Sequence, residues 1–464
     1  MCRLSVDGGP GATLRRPSVP LHEQNSPSTA VIAGPADQGV GYRAVLRQRA
    51  FLGLWTAQVL SQIADNLVYF TLLVQVYRQT GSNAAVSLLV LCVTAPAVIF
   101  GVLAGVLVDH ADKRQVLVAT NVARALLCLG FLLLGHQVAV LFLLAFLASS
   151  VRQFFVPAEA ATIPRLVAPG QLVAANSLFT LTYNLSFIIG MSGAGPLIKL
   201  FGTGAVFGLA GLSFAGAALA LRAVPPEGVV APPRGSVLAR ARLVLSDLLA
   251  GWRYLRQNPP IFQVLLALAL AWSLAGVTAA LGPGYAATVL GLEEADAFYL
   301  VAPAGLGVIS GSLIIGRYGR HLPHRWLIAR SFIATGVIVI ILAIYRGLTR
   351  LLWGDLLLTA HPGGLPGFLV VVMALAFLLG VANAGVIIPA NVVLQQETPP
   401  GMRGRIFGVL NTLGNLGSTL PVFVIGVLAD LWGVGRLMVA IGLLIILLGW
   451  ASSRSAAPAR PSRS

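Results

Sequence analysis

One stretch of this chain, residues 50–76, is apolar except for an ordered polar set. Gln58, Gln62 and Asn66 recur every four residues, and Ser61, Asp65 and Tyr69 occupy the adjacent row. On a helix both rows share one face, so they are expected to line a wet cavity rather than meet lipid. Asp65 falls near the middle of the stretch. A charge at that depth costs roughly 2.5–3.5 kcal/mol, so an intramembrane carboxylate is a functional candidate by default. Burial penalises its ionised form, which suits reversible protonation. The expected role is a proton-coupling or cation-binding acid; the plainer alternative is an Asp hydrogen-bonded within its own bundle.

Similar polar rows recur: Asn176, Thr180 and Asn184; Asn383, Asn391 and Gln395; Asn411, Asn415 and Thr419. Some of these amides line the expected cavity with Tyr183, and others bridge helices as structural glue. Trp272 and Phe298 are weaker candidates for its apolar wall. Arg124 and Arg152 also fall in apolar stretches and need partners, and Glu159 lies one helical face below Arg152. Arg152 either takes part in proton transfer or snorkels to the membrane surface. No clustered His-Asp, Ser-His or metal-binding spacing is present, and the six histidines are scattered. An intramembrane enzyme such as a lipid acyltransferase is therefore disfavoured. The three cysteines have no disulfide or metal spacing. No metal or cofactor is expected, and without a nucleotide-binding loop the energy source should be an ion gradient.

The elements that must carry these residues are membrane helices. Apolar residues make up 57% of the chain, charged residues 10%, and mean hydropathy is +0.86. Twelve stretches approach or exceed the ~20 residues that span a bilayer: 50–76, 84–108, 115–135, 138–158, 174–199, 203–222, 260–282, 297–317, 325–346, 366–394, 405–430 and 435–452. The chain also repeats itself. Pro157-Ala158 through Asn176 resembles Pro389-Ala390 through Asn411, about 230 residues on, as in a duplicated transporter. Ala95-Pro96-Ala97, Gly101 and Gly105 correspond to Ala302-Pro303-Ala304, Gly307 and Gly311 at a shorter offset. A loop at 347–365 would supply the missing residues. The expected organisation is a disordered tail at 1–42, six-helix bundles at 43–222 and 259–452, a linker at 223–258 with an interfacial helix, and a tail at 453–464.

The net charge of +16 does not describe a nucleic-acid surface, because the positive charges sit in alternate short loops. Arg43, Arg47, Arg49, Lys113, Arg114, Arg165, Arg222, Arg403 and Arg405 fall on one side; Arg78, Lys199, Arg346, Arg350 and Arg436 fall on the other. By the positive-inside rule both termini are cytoplasmic and the protein sits in the plasma membrane.

The turn Gly105-Val106-Leu107-Val108-Asp109-His110-Ala111-Asp112-Lys113-Arg114 resembles the signature loop of the major facilitator superfamily. Gly105, Asp109, Lys113 and Arg114 match its pattern, while Asp112 replaces its second Gly, as in the branch of enterobactin-exporter-like and macrolide-efflux-like proteins. Pro157-Ala158, Ile163-Pro164-Arg165-Leu166-Val167, Ala175-Asn176-Ser177-Leu178 and Gly404-Arg405 are similar to that branch too. The resemblance implies an all-α fold of twelve transmembrane helices in two pseudo-symmetric bundles, working by alternating access. It implies a cytoplasmic gate of Gly105, Asp109, Lys113, Arg114, Arg165, Arg403 and Arg405. The second-half loop, Gly311 to Arg320, has Ile315 and Gly316 where an acid is expected, so the gate should be asymmetric. Arg152 resembles the family's proton-transfer arginine, and Gly190, Gly193, Gly195 and Pro196 loosely resemble its antiporter motif. The expected function is proton-coupled efflux of a small amphipathic molecule by a monomer, with protons or another coupling cation and the bilayer as partners. An importer, a lipid translocase and a transport-dead scaffold are the alternatives.

Overall fold

In hydrocarbon the backbone has only itself as a hydrogen-bonding partner, so long apolar segments must be helical. The computed structural model describes residues 42–227, 246, 249–318, 322–353, 367–399, 406 and 421–455. After a short turn of helix at Tyr42–Leu46 come α1 (Arg49–Thr80), α2 (Asn83–Asp109), α3 (Lys113–Leu134) and α4 (Val138–Leu166). The continuous stretch Leu172–Ala220 is broken at Gly202 (φ 78°, ψ 168°) into α5 (172–201) and α6 (203–220). Gly there accepts a backbone geometry that a side chain would strain. Next are α7 (Pro259–Gly284, extended by a π-helical segment Tyr285–Leu290), α8 (Phe298–Tyr318), α9 (His324–Trp353) and α10 (Gly367–Glu397). The chain closes with α11, described over Pro421–Trp432, and α12 (Val434–Ser455).

Among the described residues, ten stretches are long and apolar enough to cross a membrane, and one of them holds both α5 and α6. With the shorter α11 piece, the twelve expected spans are all represented. Several boundaries differ from the sequence reading, and α4, expected over 138–158, runs on as helix to Leu166. The segment from 347, read as loop, continues α9 as helix to Trp353, and 354–366 lies outside the described residues. Arg346 donates to the Val289 carbonyl of the π-helical segment after α7 at 3.3 Å, and the helical ladder carries on past it. Of the expected interfacial helix, residues 249–257 are helical. Leu255 is buried with Ile261, Val264 and Leu265, which docks this segment on the C-terminal helices.

Helices α1–α6 pack chiefly among themselves, as do α7–α12. The pairing of α2 with α4 is repeated by α8 with α10, as an internal repeat requires. The two pairs differ in closeness. A Cβ on Gly311 would lie 2.9 Å from both Val381 Cα and Ala384 Cβ, whereas one on Gly101 or Gly105 would meet nothing within 4 Å among the described residues. Chain direction alternates, so the turns after α2, α4 and α6 lie on the side of both termini. The turns after α1, α3 and α5 lie on the far side.

Candidate functional site

The polar row of α1 does not end in open space. Asp65 Oδ2 stands 2.9 Å from Arg124 Nη1 on α3 and 3.5 Å from Arg152 Nε on α4. The Arg124 guanidinium also donates to Asn121 Oδ1 at 3.1 Å and to the Thr120 carbonyl at 3.3 Å. Ser61 Oγ donates to the same Asn121 oxygen at 2.7 Å. Phe155 and Phe214 cover the two faces of the region, their ring centres 4.7 and 4.6 Å from the guanidinium carbon. Four helices thus converge on one buried cation, and Arg124 is only 2% exposed. Cation–π contacts and charged hydrogen bonds together replace the water it has lost.

Arg152 is less enclosed, and the Tyr183 hydroxyl of α5 adds to its environment. Its ion-pair partner is Asp65, not Glu159, the residue the sequence placed below it. Glu159 is 8% exposed, and its Oε1 has no hydrogen-bond partner among the described residues. It remains within electrostatic range of Arg124, Arg152 and Asp65.

The other expected cavity residues divide. Gln58 and Gln62 are buried in helix packing, and Gln58 donates to the Phe179 carbonyl of α5 at 3.3 Å. A buried primary amide is cheapest where it finds a backbone acceptor, which explains this inward placement. Asn66 donates to the Gln62 carbonyl on its own helix, and Tyr69 packs half-buried against the apolar core. Thr180, Tyr183 and Asn184 are exposed on one face of α5, with Asn184 donating back to the Thr180 carbonyl. Asn383 is buried and faces the Ala271 carbonyl of α7 at 3.4 Å, so it bridges helices. Asn391 donates to Ile387 of its own helix. Asn411 and Asn415 lie outside the described residues.

The signature turn is held within the N-terminal set. Asp112, not Asp109, caps α3 by accepting from the Arg114 amide at 2.9 Å. Arg114 reaches the Arg222 carbonyl at 3.3 Å, and Lys113 Nζ donates to the Asp109 carbonyl at 3.1 Å. Glu227, which the sequence did not single out, forms ion pairs with Lys113 at 3.3 Å and Arg165 at 2.8 Å. Its place just after the Pro225-Pro226 break was the available signal: a lone acid beside basic loops. Arg403 and Arg405 lie outside the described residues.

Among the described residues, polar contacts between the two helix sets gather on the far side. Asp430 of α11 accepts from Ser82 Oγ at 2.6 Å and from the amides of Asn83 and Ala84 at 2.7 and 3.0 Å. It therefore caps α2 from the opposite set, complementing that helix's positive end. Arg78 pairs with Glu294 at 3.2 Å, and Lys199 with Asp296 at 2.9 Å. On the termini side the described ion pairs, Glu227 with Lys113 and Arg165 and Arg325 with Glu397, each stay within one set. This conformation is latched on the far side.

Two sets of membrane helices joined at one face, with a charge cluster buried in one set, define a membrane transporter rather than an enzyme. The chain belongs to the Major Facilitator Superfamily, whose sequence profile matches residues 54–421. It is 25% identical over 384 residues to the multidrug efflux pump Tap of Mycolicibacterium fortuitum, covering 81% of this chain and 88% of Tap. It is 27% identical over 429 residues to the enterobactin exporter EntS of Shigella boydii, covering 88% and 94%. A crystal structure of the nucleoside transporter NupG superposes with a TM-score of 0.67 at 13% identity, covering 87% of this chain and 98% of that one. That likeness concerns the fold alone.

Proposed function

We propose that this protein is a proton-driven exporter of a small amphipathic molecule, such as a drug, macrolide or siderophore, with both termini in the cytoplasm of a cell whose plasma membrane it spans as a monomer. The observation that carries the reading is the buried meeting of Asp65 with Arg124 and Arg152. Charges this deep are costly to keep, and a transporter that must exchange protons has a use for them. The efflux relatives support the direction of transport, and the positive-inside distribution supports the orientation. With that orientation the far-side latch is extracellular, and the conformation described is open to the cytoplasm.

In the cycle so proposed, rocking of the two sets breaks the Asp430, Glu294 and Asp296 contacts and closes the signature turn of α2–α3 against the C-terminal set. Asp65, Arg152, Lys113, Arg114, Arg165, Arg403 and Arg405 take the coupling and gating roles. Thr180, Tyr183 and Asn184 offer polar contacts to substrate from α5, while Gln58, Gln62, Asn66, Tyr69, Asn383, Asn391, Asn411 and Asn415 complete the proposed cavity as the helices rotate.

The test is efflux of a panel of fluorescent amphipathic dyes from energised cells, with and without a protonophore, set beside Asp65→Asn. Dye loss that stops with the protonophore and in the variant supports the reading. Dye accumulation would show an importer instead, and efflux indifferent to the protonophore would remove the proton from the proposal.

A further inference from the structure

We propose that Glu159 carries the exchangeable proton, and that Asp65 serves as the fixed counter-ion that holds Arg124 and Arg152 in position. This rests on the proton-coupled reading above and says where in the cluster the proton sits.

The two carboxylates have opposite surroundings. Protonating Asp65 would strip Arg124 of its only ion-pair partner among the described residues, leaving a cation that is 2% exposed supported by Asn121, a carbonyl and two rings. Protonating Glu159 breaks no ion pair or hydrogen bond seen among the described residues. Its Oε1 is buried with no described residue donating to it, so the ionised form is the one that lacks solvation. The charged groups acting on Glu159 are Arg124 from α3, Arg152 from its own helix and Asp65 from α1. Two guanidiniums and two carboxylates balance when Glu159 is ionised, so the protonated cluster carries one net positive charge. A membrane potential negative inside would pull that charge toward the cytoplasm. The step is simple: a proton from the outer medium bonds to a Glu159 oxygen, and the same O–H bond later breaks toward the cytoplasm.

The helix around Glu159 is also prepared to respond. Pro157 and Pro164 flank it within α4. Each removes one backbone donor, so the ladder here lacks two of its usual bonds and bends at lower cost. Glu159 shares its face of α4 with Arg152 and Phe155, so a bend at this point moves the lid over Arg124.

The decisive readout does not need the natural substrate. Purified protein in lipid nanodiscs is titrated while the carboxylic-acid C=O infrared band is followed, for the native chain, Glu159→Gln and Asp65→Asn. A titrating band that is lost in Glu159→Gln and kept in Asp65→Asn supports the proposal. A native chain whose titrating carboxylic C=O intensity does not exceed that of Glu159→Gln overturns it. Dye efflux provides the second arm, with Glu159→Asp as the conservative control and size-exclusion elution as the check of folding. Where native efflux needs the proton gradient, loss in folded Glu159→Gln with recovery in Glu159→Asp supports the assignment, and full efflux in Glu159→Gln sinks it alone. Native efflux unaffected by a protonophore defeats the proton-coupled reading, and the infrared titration still reports whether Glu159 binds a proton.

Discussion

Arg124 and Asp65 meet at 2.9 Å across α3 and α1, at a point where the arginine is almost wholly removed from solvent. A pair like this is costly to assemble and more costly to break, because removing one member strands the other's charge. Neither the carboxylate nor the guanidinium can be understood alone. The pair also ties Ser61 and Asn121 into one network, so α1, α3 and α4 share a rigid polar core.

Asp65→Asn should destabilise the N-terminal helices by about 3–5 kcal/mol, the usual result of halving a buried ion pair. Thermal unfolding of the purified protein measures this. The double variant Asp65→Asn/Arg124→Gln should recover part of the loss, since it removes the stranded charge. If the double variant is less stable than either single one, the two residues are not acting as a pair.

Asp430→Asn should weaken the latch at the start of α2. Hydrogen bonds to a charged group contribute about 1.5–3 kcal/mol, and solvent at this edge reduces that to about 1 kcal/mol. The population open to the far side should then rise about fivefold, as 1 kcal/mol requires. Spin-label distances between the exposed His136 and Arg436 positions would report it; an unchanged distance distribution counts against a latch.

Gly105→Ala and Gly311→Ala should separate folding from cycling. Gly311 abuts Val381 and Ala384, so an added methyl overpacks α8 against α10 by about 1–3 kcal/mol and lowers the yield of folded protein. Gly105 meets no described residue within 4 Å of an added Cβ, so its variant should fold normally. It should nevertheless slow efflux, because the signature turn must approach the other set when the termini side closes. Equal stability losses for both variants would contradict the difference in packing.

Glu227→Gln should leave overall stability within about 1 kcal/mol, given how exposed its partner Arg165 is. Its effect belongs to the turn. Hydrogen exchange at residues 110–114 and 222–227 should quicken, since Lys113 and Arg165 lose the carboxylate that joins them. Unchanged exchange there would mean that the Arg114 contact with the Arg222 carbonyl holds the turn by itself.

Local chemistry is what the sequence could determine. Runs of apolar residues must be helices in a bilayer, so the spans were legible, as were the doubled Pro-Ala stretches and the signature turn from Gly105 to Arg114. The importance of Asp65, Arg124 and Arg152 was legible too, because a charge in an apolar run is a local anomaly. Their partnership was not. Helical periodicity fixes which residues of one helix share a face, but not how that face is rotated against its neighbours. Tertiary packing therefore decided that Asp65 meets both arginines while Glu159 has no ion pair among the described residues. The same packing turned Gln58 and Gln62 toward the interior of the bundle and set Asp430 on the first turn of a helix nearly 350 residues earlier in the chain. Which side is latched is likewise a property of how the two sets meet, since Arg78 and Lys199 find Glu294 and Asp296 only where one set packs on the other.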